Sequence, residues 1–182
     1  MGKKPITSAQ VKTLRNNVKE KPLQELLLNL GVDLMLRSSD LLNLKVSDVV
    51  SDTGKVKTEV MVKQKKTKKS TLRIPLSDHS IKTIQKHLMD RSRDDYIFKG
   101  QKSYTGKPIS VIQYTRIVKQ WMEMLGVDSM DYSSHSMRKT KPNPGGRDIK
   151  RYISSMGASI FPLFRDSCRK EPCLIIIQPS LS

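Results

Sequence analysis

Aromatic side chains are scarce in this chain: one Trp, five Tyr and three Phe among 182 residues. A surface that holds single-stranded nucleic acid by stacking its bases is therefore not expected. Cysteine is nearly absent. Cys168 and Cys173 are the two present, too few for a disulfide framework, and no Cys/His cluster has zinc-ligand spacing. A reducing cytoplasm is the expected compartment, without a metal site. Long apolar runs are lacking as well. The opening Met1-Gly2-Lys3-Lys4-Pro5 has no signal-peptide core, and the late run Leu174–Ile177 is far too short to cross a bilayer. A soluble protein with no membrane partner is expected. Acidic residues are the remaining deficit: 17 Asp plus Glu face 34 Lys plus Arg, for a formal charge of +17. Such an excess calls for a polyanionic partner, nucleic acid first among them. With few stacking residues, duplex backbone is the better fit.

The hydrophobic pattern predicts a mainly helical domain. Ser8 can cap a helix running to about Val18, with Val11, Leu14 and Val18 on one face. Pro22 suits the first turn of a second helix, whose Leu23, Leu26, Leu27, Leu30 and Leu34 form the expected centre of the core. Ser38-Ser39-Asp40 can cap a short helix carrying Leu41, Leu42 and Leu44. Residues 56–63 alternate Val56, Val60 and Val62 with charged neighbours, the period of a half-buried strand, and a second strand is predicted near Thr71–Leu76. The basic run between them makes a hairpin. Ser77 caps a helix with Ile81, Ile84 and Leu88 inward, and residues 100–108 read as a loop. Ser110 opens a longer helix with Val111, Tyr114, Val118, Trp121 and Leu125 on its core stripe, ending at Gly126. A last helix begins at Ser133 or Ser134 and is broken by Lys141-Pro142-Asn143-Pro144-Gly145-Gly146. His79 is expected in the first turn of its helix and His87 on the polar side.

Three stretches carry chemistry. Arg37, in Leu36-Arg37-Ser38-Ser39-Asp40, follows a buried helix, a rigid base from which to aim a guanidinium. Its planar fork can hold two anionic oxygens at once, and Asp40 can orient it. The turn Lys63-Gln64-Lys65-Lys66-Thr67-Lys68-Lys69 concentrates positive charge. His135 and Arg138 are three apart, so on a helix they share a face and can converge on one anion. Each has an ordinary reading too: a surface arginine, a solvated turn, and a surface pair.

In this order the stretches resemble the arginine box, the hairpin lysine and the His-x-x-Arg box of the tyrosine recombinases, the phage-integrase family. The likeness runs furthest over Leu36–Val49, including the Leu-x-Leu-x-x-x-Asp-Val segment from Leu42 to Val49. It implies an α+β, mainly α, integrase-like catalytic domain with a small β-hairpin at about 56–76. It also implies DNA integration or site-specific recombination: a tyrosine attacks the scissile phosphate, a 3′-phosphotyrosyl link forms, and a 5′ hydroxyl leaves. No cofactor is implied. Partners would be double-stranded DNA and other recombinase protomers on it. Arg37 and Arg138 would stabilise charge on the phosphate, with Asp40 behind Arg37, and His135 would assist proton transfer. Lys66, in a Gln-x-Lys-Thr setting ahead of Ile74-Pro75-Leu76, would be the acid for the departing oxygen. Lys65 and Lys68 are near enough to compete for that role. Lys63, Lys65, Lys68, Lys69 and Lys139 would line the DNA backbone.

The resemblance covers about residues 5–141 and stops there. Family members continue with a Leu-Gly-His-like box and, beyond further helices, the tyrosine; neither follows here in that context. Tyr152, after Arg151, is the nucleophile candidate, yet it lies 14 residues past Arg138, too close for those helices. Residues 142–182 are expected to be an irregular, poorly structured tail. Few residues precede the first helix, so the separate helical clamp of many integrases is not expected. Without the final helices, the apolar face around Leu26–Leu34 should be partly uncovered and the fold marginal. Three functions remain: a recombinase catalytic domain, a non-catalytic DNA-binding remnant, or a basic RNA-binding protein.

Overall fold

The computed structural model describes residues 2–63, 71–100 and 106–140, with only the backbone of Lys63 and Leu72. Lys65, Lys66, Lys68, Lys69, Tyr152 and the tail 142–182 lie outside the described residues. Seven α-helices, one antiparallel hairpin and a 3-10 turn (Ser129–Asp131) occur among them, the α-helices and strands in chain order being α1 (Ser8–Val18), α2 (Pro22–Leu34), α3 (Ser38–Leu42), α4 (Val46–Val49), β1 (Glu59–Lys63), β2 (Thr71–Pro75), α5 (Asp78–Leu88), α6 (Val111–Met124) and α7 (Ser134–Lys139). The fold is thus mainly α with a small sheet.

Helix α2 is the axis of the core. Every residue from Leu26 to Leu34 is buried, polar ones included, because α1, α5 and α7 pack around it. The expectation that this face would be partly uncovered is therefore corrected. Each fully buried leucine contributes roughly 1.5–3 kcal/mol by leaving water, so α2 is a principal source of stability.

Side-chain caps set the starts of α1, α5, α6 and α7. The expected Ser38-Ser39-Asp40 cap of α3 is not formed: Arg37 stands at that N-cap without a side-chain hydrogen bond, and Ser38 is the first helical residue. Thr7, not Ser8, caps α1: its Oγ1 accepts from Gln10 N, and Thr7 N donates in turn to Gln10 Oε1. Ser77 caps α5 as predicted. Its N–H and hydroxyl both donate to Asp33 Oδ2, at 2.9 and 2.6 Å, and Ser80 Oγ adds a third at 2.5 Å. This carboxylate, at the end of α2, thereby pins α5 to the core. Nearby, Arg15 Nε donates to Asn29 Oδ1, and Asn29 Nδ2 donates to Thr83 Oγ1, linking α1, α2 and α5. His87 is not on a solvated face: its Nε2 lies 2.8 Å from Glu25 Oε2, nearly buried between α5 and α2.

In the hairpin, Val60 pairs with Ile74 and both are buried, while Met61 opposite Arg73 is exposed. Strand β1 starts later than predicted. Val56 instead forms an isolated bridge with Val50, closing the turn after α4, an element the sequence pattern did not announce.

Ser110 and Gln113 form a reciprocal cap on α6. Tyr114, Val118 and Trp121 bury as predicted, but Val111 is exposed: it shares the face of Val118, two turns on, but lies at the helix start where the packing that covers this face has ended. Trp121 Nε1 donates to Gln24 Oε1 at 3.0 Å, fixing α6 against α2. Gly126 ends the helix at φ +68°, a left-handed conformation that glycine adopts without a Cβ clash.

Candidate nucleic-acid interface

Arg37 is aimed by an unusual turn. Met35, just past α2, has φ +47° and ψ +27°, a left-handed conformation that costs a side-chain-bearing residue on the order of 1 kcal/mol. Its N–H still reaches Gly31 O at 3.3 Å. The turn sends Leu36 into the core and leaves Arg37 as the first residue before α3, half-buried. Arg37 Nη1 is buried without a hydrogen-bond acceptor.

Asp40, one turn into α3, is buried, and neither carboxylate oxygen has a hydrogen-bond partner. It does not hold Arg37 by a hydrogen bond; its charge acts on Arg138.

Arg138 arrives from the other end of the chain on α7. Ser133 caps this helix by accepting from His135 N, and Ser136 Oγ accepts from Ser133 N. Thr115 of α6 donates to Ser134 Oγ at 3.2 Å. Burial, followed by the nearby positive charge of Arg37, holds the Arg138 guanidinium below its ordinary value, and Asp40 partly offsets this. The structure thus brings Arg37, Asp40 and Arg138 into one electrostatic neighbourhood, from segments about a hundred residues apart. Two like charges with an unfilled buried donor form a site that favours an anion.

His135 lies on the same short helix and is exposed. Lys139 is exposed as well, and its Nζ donates to Lys3 O at 2.9 Å. Beside α7, the outer face of α6 carries a shallow depression of about 290 Å³ lined by Val111, Ile112, Thr115, Arg116 and Lys119. Among the described residues, no group of three or more His, Cys, Asp or Glu could hold a metal ion. No helix among them is long and apolar enough to cross a membrane.

Sequence reasoning missed Met35, because a left-handed residue other than glycine leaves no compositional trace.

The profile of the phage integrase family matches residues 4–141. The chain belongs to the phage integrase family. Among curated relatives, it is 32% identical over 110 residues to Probable integrase/recombinase YoeC of Bacillus subtilis (strain 168), an alignment covering 60% of this chain and 55% of that protein. Several solved structures share the fold of this chain. The crystal structure of XerA recombinase superposes with a TM-score of 0.59 at 15% identity, over 76% of this chain and 47% of XerA. XerH site-specific recombinase, in a post-cleavage complex with palindromic difH substrate, gives 0.57 at 16% identity, over 76% of this chain and 41% of XerH. The integrase from mycobacterium phage Brujita gives 0.54 at 18%, over 75% and 42% respectively. This chain therefore spans about half the length of the relatives it matches.

Proposed function

We propose that this chain is the phosphate-holding part of an enzyme for DNA integration or site-specific recombination, with double-stranded DNA as its partner. The observation that carries this reading is the pairing of Arg37 and Arg138. Arg37 Nη1 is a buried donor without an acceptor, and Arg138 is held below its ordinary value partly by Arg37. A phosphodiester between them would supply acceptors to both and relieve their repulsion. As charge builds on the non-bridging oxygens during transfer, the same donors would bind more strongly, which is how such a clamp accelerates a reaction.

His135, exposed on the helix that carries Arg138, would assist proton transfer. Lys66 would protonate the departing 5′ oxygen as the tyrosine oxygen bonds to phosphorus and the P–O5′ bond breaks. The tyrosine proton would pass to His135 as base, Lys66 would supply the proton taken up by the 5′ oxygen, and the phosphodiester energy stays in the 3′-phosphotyrosyl link. Arg116 and Lys119, on the outer face of α6 beside α7, would add contacts to the duplex backbone. Further protomers on the same DNA would complete strand exchange.

The second reading, a DNA-binding domain that holds a phosphate without cutting, is favoured by one sequence observation. No family-like box follows Thr140, and Tyr152 stands only 14 residues beyond Arg138. The experiment that separates the two is covalent capture on a nicked duplex carrying a cognate site. An adduct lost in Tyr152→Phe supports cleavage. No adduct, with salt-sensitive binding retained, supports the holding role. Tighter binding to structured RNA than to duplex DNA at equal salt would sink both.

A further inference from the structure

Helix α7 has six residues, far too few to keep its own shape in water. The aim of Arg138 must come from what grips the helix at each end. Its N-terminal end has Ser133, Ser136 and Thr115, as described. The other end is held by the start of the chain. Thr140 is fully buried, and its hydroxyl donates to Ser136 O at 2.9 Å while accepting from Ile6 N at 3.2 Å. Ile6 is buried too, so this exchange occurs away from water, where an unmade bond is costly.

The remaining contacts extend the same grip. Lys139 Nζ donates to Lys3 O at 2.9 Å. Lys4 N donates to Asp131 O at 3.0 Å, and Lys4 Nζ pairs with Asp131 Oδ2 at 2.5 Å. Lys3 Nζ donates to Met130 O at 2.6 Å. Residues 3–6 therefore bind the turn that leads into α7 and the two residues that follow Arg138.

We infer that residues 3–6 act as a strap that positions α7, and that Thr140 is the positioning residue through which the strap sets the aim of Arg138. This rests on the reading of Arg37 and Arg138 as a phosphate clamp. Thr140 touches no phosphate itself. It acts by holding the last turn of α7 against Ile6, so that the Arg138 guanidinium stays beside Arg37. Without the hydroxyl, Ser136 O and Ile6 N lose their shared partner and the end of the helix is released.

The test uses the full chain and a duplex probe, with affinity measured across a salt series and folding followed separately by denaturation. Arg138→Ala should flatten the salt dependence by about 0.9 in the log–log slope, the amount for one phosphate contact. Thr140→Val, close in shape but without the hydroxyl, should flatten it equally, and the double variant should lose no more than either alone. Thr140→Ser, which keeps the hydroxyl, should restore the slope. A Thr140→Val chain that is less stable but keeps the wild-type slope would overturn the inference while leaving the clamp intact. If Arg138→Ala itself leaves the slope unchanged, the clamp reading fails first. Asp131→Asn offers a milder variant that leaves the buried contacts in place. It should speed amide exchange at Ile6 and Arg138 together, and unchanged exchange at Arg138 would overturn the strap.

Discussion

The Arg138 guanidinium is held below its ordinary value by burial and by Arg37, which precedes it by 101 residues in the chain. Two cations brought together this way repel one another in the free protein, a standing cost that an anion between them removes. Asp40, buried and without a hydrogen-bond partner, offsets the repulsion only in part.

Truncating either arginine should weaken DNA binding without unfolding the chain. Arg37→Ala and Arg138→Ala are expected to reduce duplex affinity uniformly across sequences, each making the salt slope shallower by about 0.9. Folding stability should move by less than about 1 kcal/mol, since a repulsion is lost along with some packing. Fluorescence anisotropy on unrelated duplexes, from low to moderate salt, checks both statements.

Asp33→Ala should be among the most destabilising polar substitutions. The carboxylate accepts from Ser77 N, Ser77 Oγ and Ser80 Oγ, and its loss strands these donors where α5 meets α2. A cost of roughly 2–4 kcal/mol is expected, read from the shift in urea midpoint at constant m-value.

Gly31→Ala should be destabilising for a different reason. A Cβ there would stand 2.8 Å from Tyr114 Oη and 3.1 Å from Met137 Cε, an overpacking that costs about 1–3 kcal/mol. Tyr114→Phe removes the obstructing hydroxyl, which has no hydrogen-bond partner. The double variant should therefore recover much of the loss, a positive coupling that a thermodynamic cycle would show.

Mild acid should weaken the fold through His79. Partial desolvation of this otherwise exposed side chain, then the charge of Arg15, holds the imidazole below its ordinary value, with Lys82 acting in the same direction and Asp33 and Asp78 against it, so the effect is small. A group with a lowered folded-state pKa contributes stability that is present above about pH 6.5 and lost as pH falls through its folded value. Melting at pH 7.5 and pH 5.5 should show the drop, and His79→Gln should narrow it.

Much of the helical frame was legible in the chain, because caps and apolar spacing act over a few residues. Pro22 and the leucines of α2, Ser77 before α5, and Ser110 with Gln113 before α6 each mark a helix start by local chemistry. Thr7 displaced Ser8 as the first cap because its hydroxyl, with Gln10, satisfies two orphan amides at once. Val111 was misassigned to the core since a helical stripe gives the direction of a face but not where its cover ends. His87 was placed on the polar side because nothing local records that Glu25 lies across from it.

By itself the sequence determined the charge, the helical periods and the boxes around Arg37, Lys66 and His135, and through them the family; these are properties of residue type and short spacing. Tertiary structure decided which of them meet. It set Arg138 beside Arg37, left Arg37 Nη1 without an acceptor, turned Met35 left-handed, and tied Thr140 to Ile6. Such relations depend on packing between segments remote in the chain, where burial and unpaired polar groups carry the energy, and short-range pattern holds no record of them.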